Sequence, residues 1–358
     1  MRQAGLSVTL LERGVCGYES SWAAAGILAP ANPHRKDSLY TIHSASLERY
    51  PQYCAEIAEV SGIDPEYDRC GELELLTTEQ HVQMAKSDVR VTADMKMNDG
   101  LPSLELLTPE QCRQIEPKVT GEALAVLHNR ITAQIRNPRL LRGLRRACER
   151  LGVSIHERTP AASMILSGNR VAGAQAEDGT RYAAGHTVLC AGAWSNQIEQ
   201  CDSAESLPVH PVRGQIVLLQ MSRPPFTHVI ERRRTILVCR PDGMILLGAT
   251  VEPEAGFDNR PTAKGVGELM AAARAMADCI GEASVVAVWA GLRPGTPDKR
   301  PYIGPVPGYE GLIAATGHYR SGLALAPITA DIVRDLIVAG RCDFDLSRCA
   351  PGRKPRSA

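Results

Sequence analysis

Residues 8–11 form a short unbroken apolar run that ends at Glu12. This is the pattern of a strand covered on both faces of a parallel sheet. In "SLERYPQYCAEIAEVSG", Leu47, Tyr50, Cys54, Ile57 and Val60 recur at helical spacing, and Gly62 supplies a stop. Pro51 predicts a kink or a later start there. Residues 71–77 read as a strand, whereas 81–130 are mixed, with no order of elements assigned. In "NPRLLRGLRRACERLG", Leu140, Leu141, Leu144, Cys148 and Leu151 share one face. Asn137 is the expected cap, Pro138 the first helical residue and Gly152 the end. Residues 153–156 then predict a parallel strand, and turns at 167–169 and 178–179 predict a small antiparallel meander.

The meander returns to "HTVLCAGAWS", a buried strand running into a turn of small residues. Strands alternate over 209–250, with "RPDG" as a hairpin turn between "TILVC" and "MILLGAT". Ile328, Ile332, Leu336 and Ala339 define a last helix over 322–339, closed by Gly340. The tail beyond Ser347 is rich in Pro, Arg and Lys and is expected to fray. The order predicts an α/β plus α+β protein: a discontinuous Rossmann-like domain carrying an inserted domain on an antiparallel or mixed sheet. The expected bounds are 1–45, 132–200 and 290–346 for the first domain, 46–131 and 201–289 for the second, and 347–358 for a flexible tail.

Composition narrows the function classes. The 358 residues are 44% apolar, enough for a large core or two domains. Lys+Arg and Asp+Glu both number 40, which gives no signal for nucleic acid or a membrane surface. The run Arg232, Arg233, Arg234 reads as a solvated loop. Eleven cysteines without a CxxC pair read as reduced thiols of a cytoplasmic protein, and no Cys or His pair has metal-ligand spacing. No apolar run approaches the roughly 20 residues of a membrane span, and the first residues make no convincing signal peptide.

In a dinucleotide fold an acid at the position of Glu12 bonds a ribose hydroxyl, and a glycine-rich turn lies about 20 residues upstream. Only seven residues precede Val8, so the first strand and that turn are expected to be missing from the chain. An upstream start is the simplest reconciliation. The alternative is a remnant that binds its dinucleotide poorly.

The segments "ERGVCGYESSWAAAGILAP", "VLCAGAWS", "HPVRGQIVLL", "MILLGATVE", "WAGLRPGTPDKRPYIGP" and "ATGHYRSGLALAP" occur in this order. Together they resemble the D-amino acid oxidase superfamily of FAD enzymes, and within it the bacterial glycine oxidase branch. The resemblance runs over nearly the whole chain and implies non-covalently bound FAD, since no Cys lies near "RPGTPDKRPYIG". It implies cofactor contacts from Glu12, Arg13, Ser20, Ser21, Ala24, Ala25 and Gly26. Ala161 would meet the adenine, Ala191, Gly192 and Trp194 would close over the cofactor, and Gly291, Gly317, Tyr319, Ser321, Gly322 and Leu323 would lie beside the flavin. Arg293 and Arg320 would hold the substrate carboxylate, with Ile27 and Ile236 beside them and His318 next to the flavin as a further catalytic candidate. Ile236 stands where the branch usually carries Tyr, and Ser321 where it usually carries Asn.

The implied reaction is oxidation of glycine or another small amino acid or secondary amine. Hydride passes from the α-carbon to flavin N5, and the imino acid hydrolyses to an oxo acid and ammonia. Molecular oxygen reoxidises the flavin to give hydrogen peroxide; the alternative is a dehydrogenase that uses another acceptor. A role in thiamine thiazole formation and a homo-oligomeric state are compatible with the resemblance.

Overall fold

The two kinds of apolar pattern produce two kinds of sheet. The computed structural model describes residues 1–34, 37–97, 99–199 and 207–354. Along the chain run β1 (Thr9–Leu11), α1 (Ser20–Ala23), β2 (Ile27–Leu28), α2 (Ser38–Ser61), β3 (Glu72–Leu76), α3 (Glu79–Val91), β4 (Leu104–Leu107), α4 (Pro109–Ile115), β5 (Ala125–Asn129), β6 (Ala133–Gln134) and α5 (Asn137–Arg150). There follow β7 (Ser154–His156), β8 (Ala161–Ser167), β9 (Arg170–Ala176), β10 (Arg181–Ala183), β11 (Thr187–Leu189), β12 (His210–Gln220), β13 (Val229–Arg232), β14 (Thr235–Cys239) and β15 (Met244–Gly248). The chain continues through α6 (Ala263–Arg274), β16 (Ser284–Gly295), β17 (Tyr302–Pro305), β18 (Leu312–Thr316) and α7 (Gly322–Ala339).

Short apolar runs make the small sheets. β1 pairs in parallel with β7, β11 pairs in parallel with β18, and β17 flanks β18. β8, β9 and β10 form the expected meander. Alternating runs make one eight-stranded sheet in the order β16-β12-β15-β14-β13-β3-β5-β4. Its period of two sends Leu73, Val217, Ile230, Leu237 and Leu247 to one face, where they pack with Leu269 and Ala273 of α6. The other face is left for the site.

Several local expectations need correction. α2 starts well before the predicted segment, at Ser38, with the Asp37 carboxylate accepting from the Tyr40 amide at 3.2 Å. It runs on through Pro51, which is exposed. Ser46 and Tyr50, both fully buried, tie the helix inward, and the Tyr50 hydroxyl donates to the Leu323 carbonyl at 2.5 Å. Asn137 does not cap α5: the cap position is Arg136, and the Asn137 side chain is used elsewhere. The tail is anchored as far as Arg353. Cys349 is fully buried, and Arg353 pairs with Asp298 at 2.8 Å and lies 4.1 Å over the Tyr302 ring. The last four residues, 355–358, lie outside the described residues. No helix among the described residues is long and apolar enough to cross a membrane.

Candidate active site

Four segments distant in sequence close on one another. The Arg13 guanidinium lies 3.7 Å over the Trp194 ring and pairs with Glu19, joining the loop after β1 to the turn after β11. That turn is joined to β18 by Thr316, whose hydroxyl donates to the Gly192 carbonyl at 3.2 Å. The Tyr319 amide, after β18, donates to the Pro294 carbonyl at 3.0 Å. Finally, Trp289 Nε1 donates to the Ala23 carbonyl at 3.1 Å, returning the ring of contacts to its start. A Cβ on Gly291 would come within 2.5 Å of the Ala23 Cβ, so this approach requires glycine.

The loop after α1 is held by two side chains whose roles sequence reasoning missed. Asn137 Nδ2 donates to the Ser21 carbonyl at 2.9 Å and the Ala24 carbonyl at 2.6 Å. Arg240, 4% exposed, donates to Gln134 Oε1 at 2.7 Å and to the Ala25 and Ile135 carbonyls at 3.0 and 2.8 Å. Burial pushes its pKa down to about 10. Gly26, at φ +83°, sits where a Cβ would lie 2.1 Å from the Ile135 carbonyl. The only sequence signals were a helix start at Asn137 and a turn at Arg240. Both are real, since β14 and β15 do flank that turn, but neither reveals the long-range contact.

Register places the substrate candidates on one sheet face. Trp289, Ile216, Gly248, Ile236, Glu231 and Glu74 are successive cross-strand partners from β16 to β3. Cross-strand partners share a face, and Gly291 and Arg293 follow Trp289 at intervals of two along β16. Hence Arg293, Ile236 and Glu231 all lie on the side that meets Ala23. The Arg293 guanidinium reaches back over Gly214, where an added Cβ would be 2.2 Å from Nη1. It donates to the Thr250 carbonyl at 3.1 Å and has no carboxylate partner among the described residues. Burial, with the positive charge of Arg320 beside it, pushes its pKa down to about 10, so it stays cationic near neutrality.

Arg320 is exposed. Ile27 pairs with Gln134, the residue Arg240 grips. His318 contacts Thr329 of α7 at 3.2 Å through Nε2, and burial pushes its pKa down to about 4. It is therefore neutral near pH 7 and built into the helix contact. Ser321 caps α7 by position without a side-chain bond, Gly322 opens the helix, and Leu323 offers the carbonyl that Tyr50 bonds. Gly317, at φ +72°, packs against Thr296. The Glu12 carboxylate accepts from the Gly14 amide at 2.8 Å. Ser20 and Ser21 open α1, Ala191 precedes the 3₁₀ turn that begins at Gly192, and Ala161 starts β8.

Small residues on the ring (Ala23, Ala24, Ala25, Gly26, Ala191, Gly192, Gly291 and Gly317) let a flat, extended group approach the backbone closely. Asn137 Oδ1, on a residue 1% exposed, is left without a hydrogen-bond partner at the same loop. These features fit a dinucleotide cofactor.

Comparison with known proteins agrees. Residues 1–336 match the family model described as FAD dependent oxidoreductase. The chain is 35% identical over 352 residues to glycine oxidase of Pseudomonas aeruginosa, covering 97% of this chain and 93% of that protein. It is 30% identical over 344 residues to the bifunctional protein ThiO/ThiG of Synechocystis sp., of which it covers 48%. The crystal structure of glycine oxidase from Geobacillus kaustophilus matches with a TM-score of 0.90 at 27% identity, covering 99% of this chain and 94% of that one.

Proposed function

The chain belongs to the FAD dependent oxidoreductase family, and from that premise we propose that it oxidises glycine or another small amino acid or secondary amine. The observation that carries this reading is Arg293: a largely desolvated cation without a carboxylate partner among the described residues, on the sheet face that meets the Ala23 loop. A planar guanidinium holds a carboxylate by two parallel hydrogen bonds. Fixed in this way, the substrate presents its α-carbon to the cofactor. FAD, bound non-covalently, supplies the acceptor for the α-hydride.

The protein's own part is position and charge. Arg240 and Asn137 hold the backbone of residues 21–25 against the large sheet, which sets the distance between cofactor loop and substrate face. Arg320 adds a second positive charge beside Arg293. Ile236 contributes an apolar wall with no hydroxyl, leaving the carboxylate grip mainly to Arg293. A neutral His318 supports α7 instead of exchanging protons. Ser20, Ser21 and the Glu12–Arg13 loop are assigned to the dinucleotide, with Ala161 toward its adenine end. The cofactor domain is assigned to 1–45, 132–200 and 290–346 and the substrate domain to 46–131 and 201–289. α2 and β16 each run unbroken across a boundary.

Oxygen as final acceptor, the cytoplasm as location and a supply of imino acid to thiamine thiazole formation complete the proposal. The similarity to a protein named ThiO/ThiG supports the last point. The test is hydrogen peroxide release from the FAD-loaded protein in air with glycine and sarcosine. Peroxide in step with amine consumption supports the reading. Amine consumption that needs an added carrier and yields no peroxide assigns a dehydrogenase.

A further inference from the structure

A cavity of ≈ 170 Å³ is lined by α2, the β2–β6 ladder and the outer strands β4 and β5. Its lining includes neither Arg293 nor Arg320, nor any residue of the four joined segments. The walls are largely apolar and aromatic, from Leu28, Leu104, Tyr40, Tyr50 and Tyr67, with Tyr50 and Tyr67 stacked at 6.4 Å. Ser103, 2% exposed, also lines it, and its hydroxyl has no hydrogen-bond partner. Among the lining residues are two exposed opposite charges, Arg69 and Glu48. Neither forms an ion pair or hydrogen bond among the described residues.

We propose that this cavity is a second binding site, for an amino acid with an apolar side chain. The side chain enters the aromatic and aliphatic interior, where burying its surface supplies most of the affinity. The carboxylate meets Arg69 and the ammonium meets Glu48. An apolar interior with both signs of charge at the mouth matches a zwitterion with an apolar body. It would leave one charge unanswered for a simple fatty acid or amine.

The experiment is isothermal titration of the full-length protein with L-leucine, L-phenylalanine and glycine. Titrations are repeated in Arg69→Gln and Glu48→Gln, which change exposed side chains, and in Arg293→Ala, which disables the proposed substrate grip. Leucine or phenylalanine should bind saturably, at least about tenfold more tightly than glycine. Each rim variant should weaken that binding about fivefold, the scale of an exposed charge pair, and binding should survive Arg293→Ala. Absence of binding overturns the proposal, as does binding insensitive to both rim variants or lost in Arg293→Ala. Because the Arg293→Ala arm is read by heat and not by turnover, failure here is distinct from failure of the oxidase assignment.

Discussion

Arg240 is the side chain on which the loop geometry most depends. Its guanidinium serves three acceptors from two separate segments while nearly excluded from water. Arg240→Met keeps the bulk but leaves Gln134 Oε1 and the Ala25 and Ile135 carbonyls unanswered. The expected loss is about 3 kcal/mol of stability, read by urea unfolding. FAD affinity should fall with it, because the same bonds hold the loop. A second prediction concerns Ile236. Replacing it with Tyr adds a hydroxyl on the Arg293 face, so the KM for glycine should fall; an unchanged or higher KM removes Ile236 from the substrate wall. At this scale the sequence was partly legible. Arg293, and Ile236 in place of tyrosine, stood out only against the family pattern. Asn137 and Arg240 did not stand out, because their partners lie more than 100 residues away and leave no periodic trace.

Among the elements, β3 and β13 have the least ordinary chemistry. Glu72, Glu74 and Glu231 share the sheet face that carries Arg293, and none has an ion-pair partner among the described residues. Burial, reinforced by the Glu231 charge, pushes the Glu72 pKa up to about 8 and that of Glu74 up to about 7, from 4.5. Between pH 4.5 and about 8 the folded state therefore holds more protons at these two groups than the unfolded one, so their contribution lowers stability as pH rises through that window. His318, with its pKa lowered from 6.5 to about 4, acts in the opposite sense below pH 6.5. The decline should thus be clearest between pH 6.5 and 8, and Glu72→Gln should flatten it in thermal melts. The Glu231 charge on this face predicts poor use of substrates with a second carboxylate. Iminodiacetate should have a much lower kcat/KM than sarcosine, and Glu231→Gln should narrow the gap; equal use of both by the wild type contradicts this. Element reading succeeded where a single face was long and amphipathic, as in α5. It missed the first turns of α2, where "SLYTIHSAS" has weak helix propensity and the buried Ser46 and Tyr50 supply the stability.

At the scale of the molecule, the account rests on four segments meeting between two small sheets and the eight-stranded one, with Arg293 on the large sheet's face that meets Ala23. The alternation of α/β and antiparallel stretches made the division into small parallel-paired sheets and one large sheet readable. The ring of contacts was readable only through resemblance, because spacing along a chain says nothing of which loops meet. The anchored tail ran against its composition: Arg353 found Asp298, and Cys349 found a buried place. The most direct test is anaerobic mixing of the FAD-loaded protein with glycine, followed by visible flavin absorbance, in the wild type and in Arg293→Ala. The account predicts bleaching by glycine in the wild type. In the variant it predicts retained FAD and a second-order reduction rate at least about 30-fold lower, equivalent to about 2 kcal/mol of lost transition-state binding. Flavin that stays oxidised with glycine and sarcosine in the wild type, or wild-type reduction in a flavin-loaded Arg293→Ala, would contradict it.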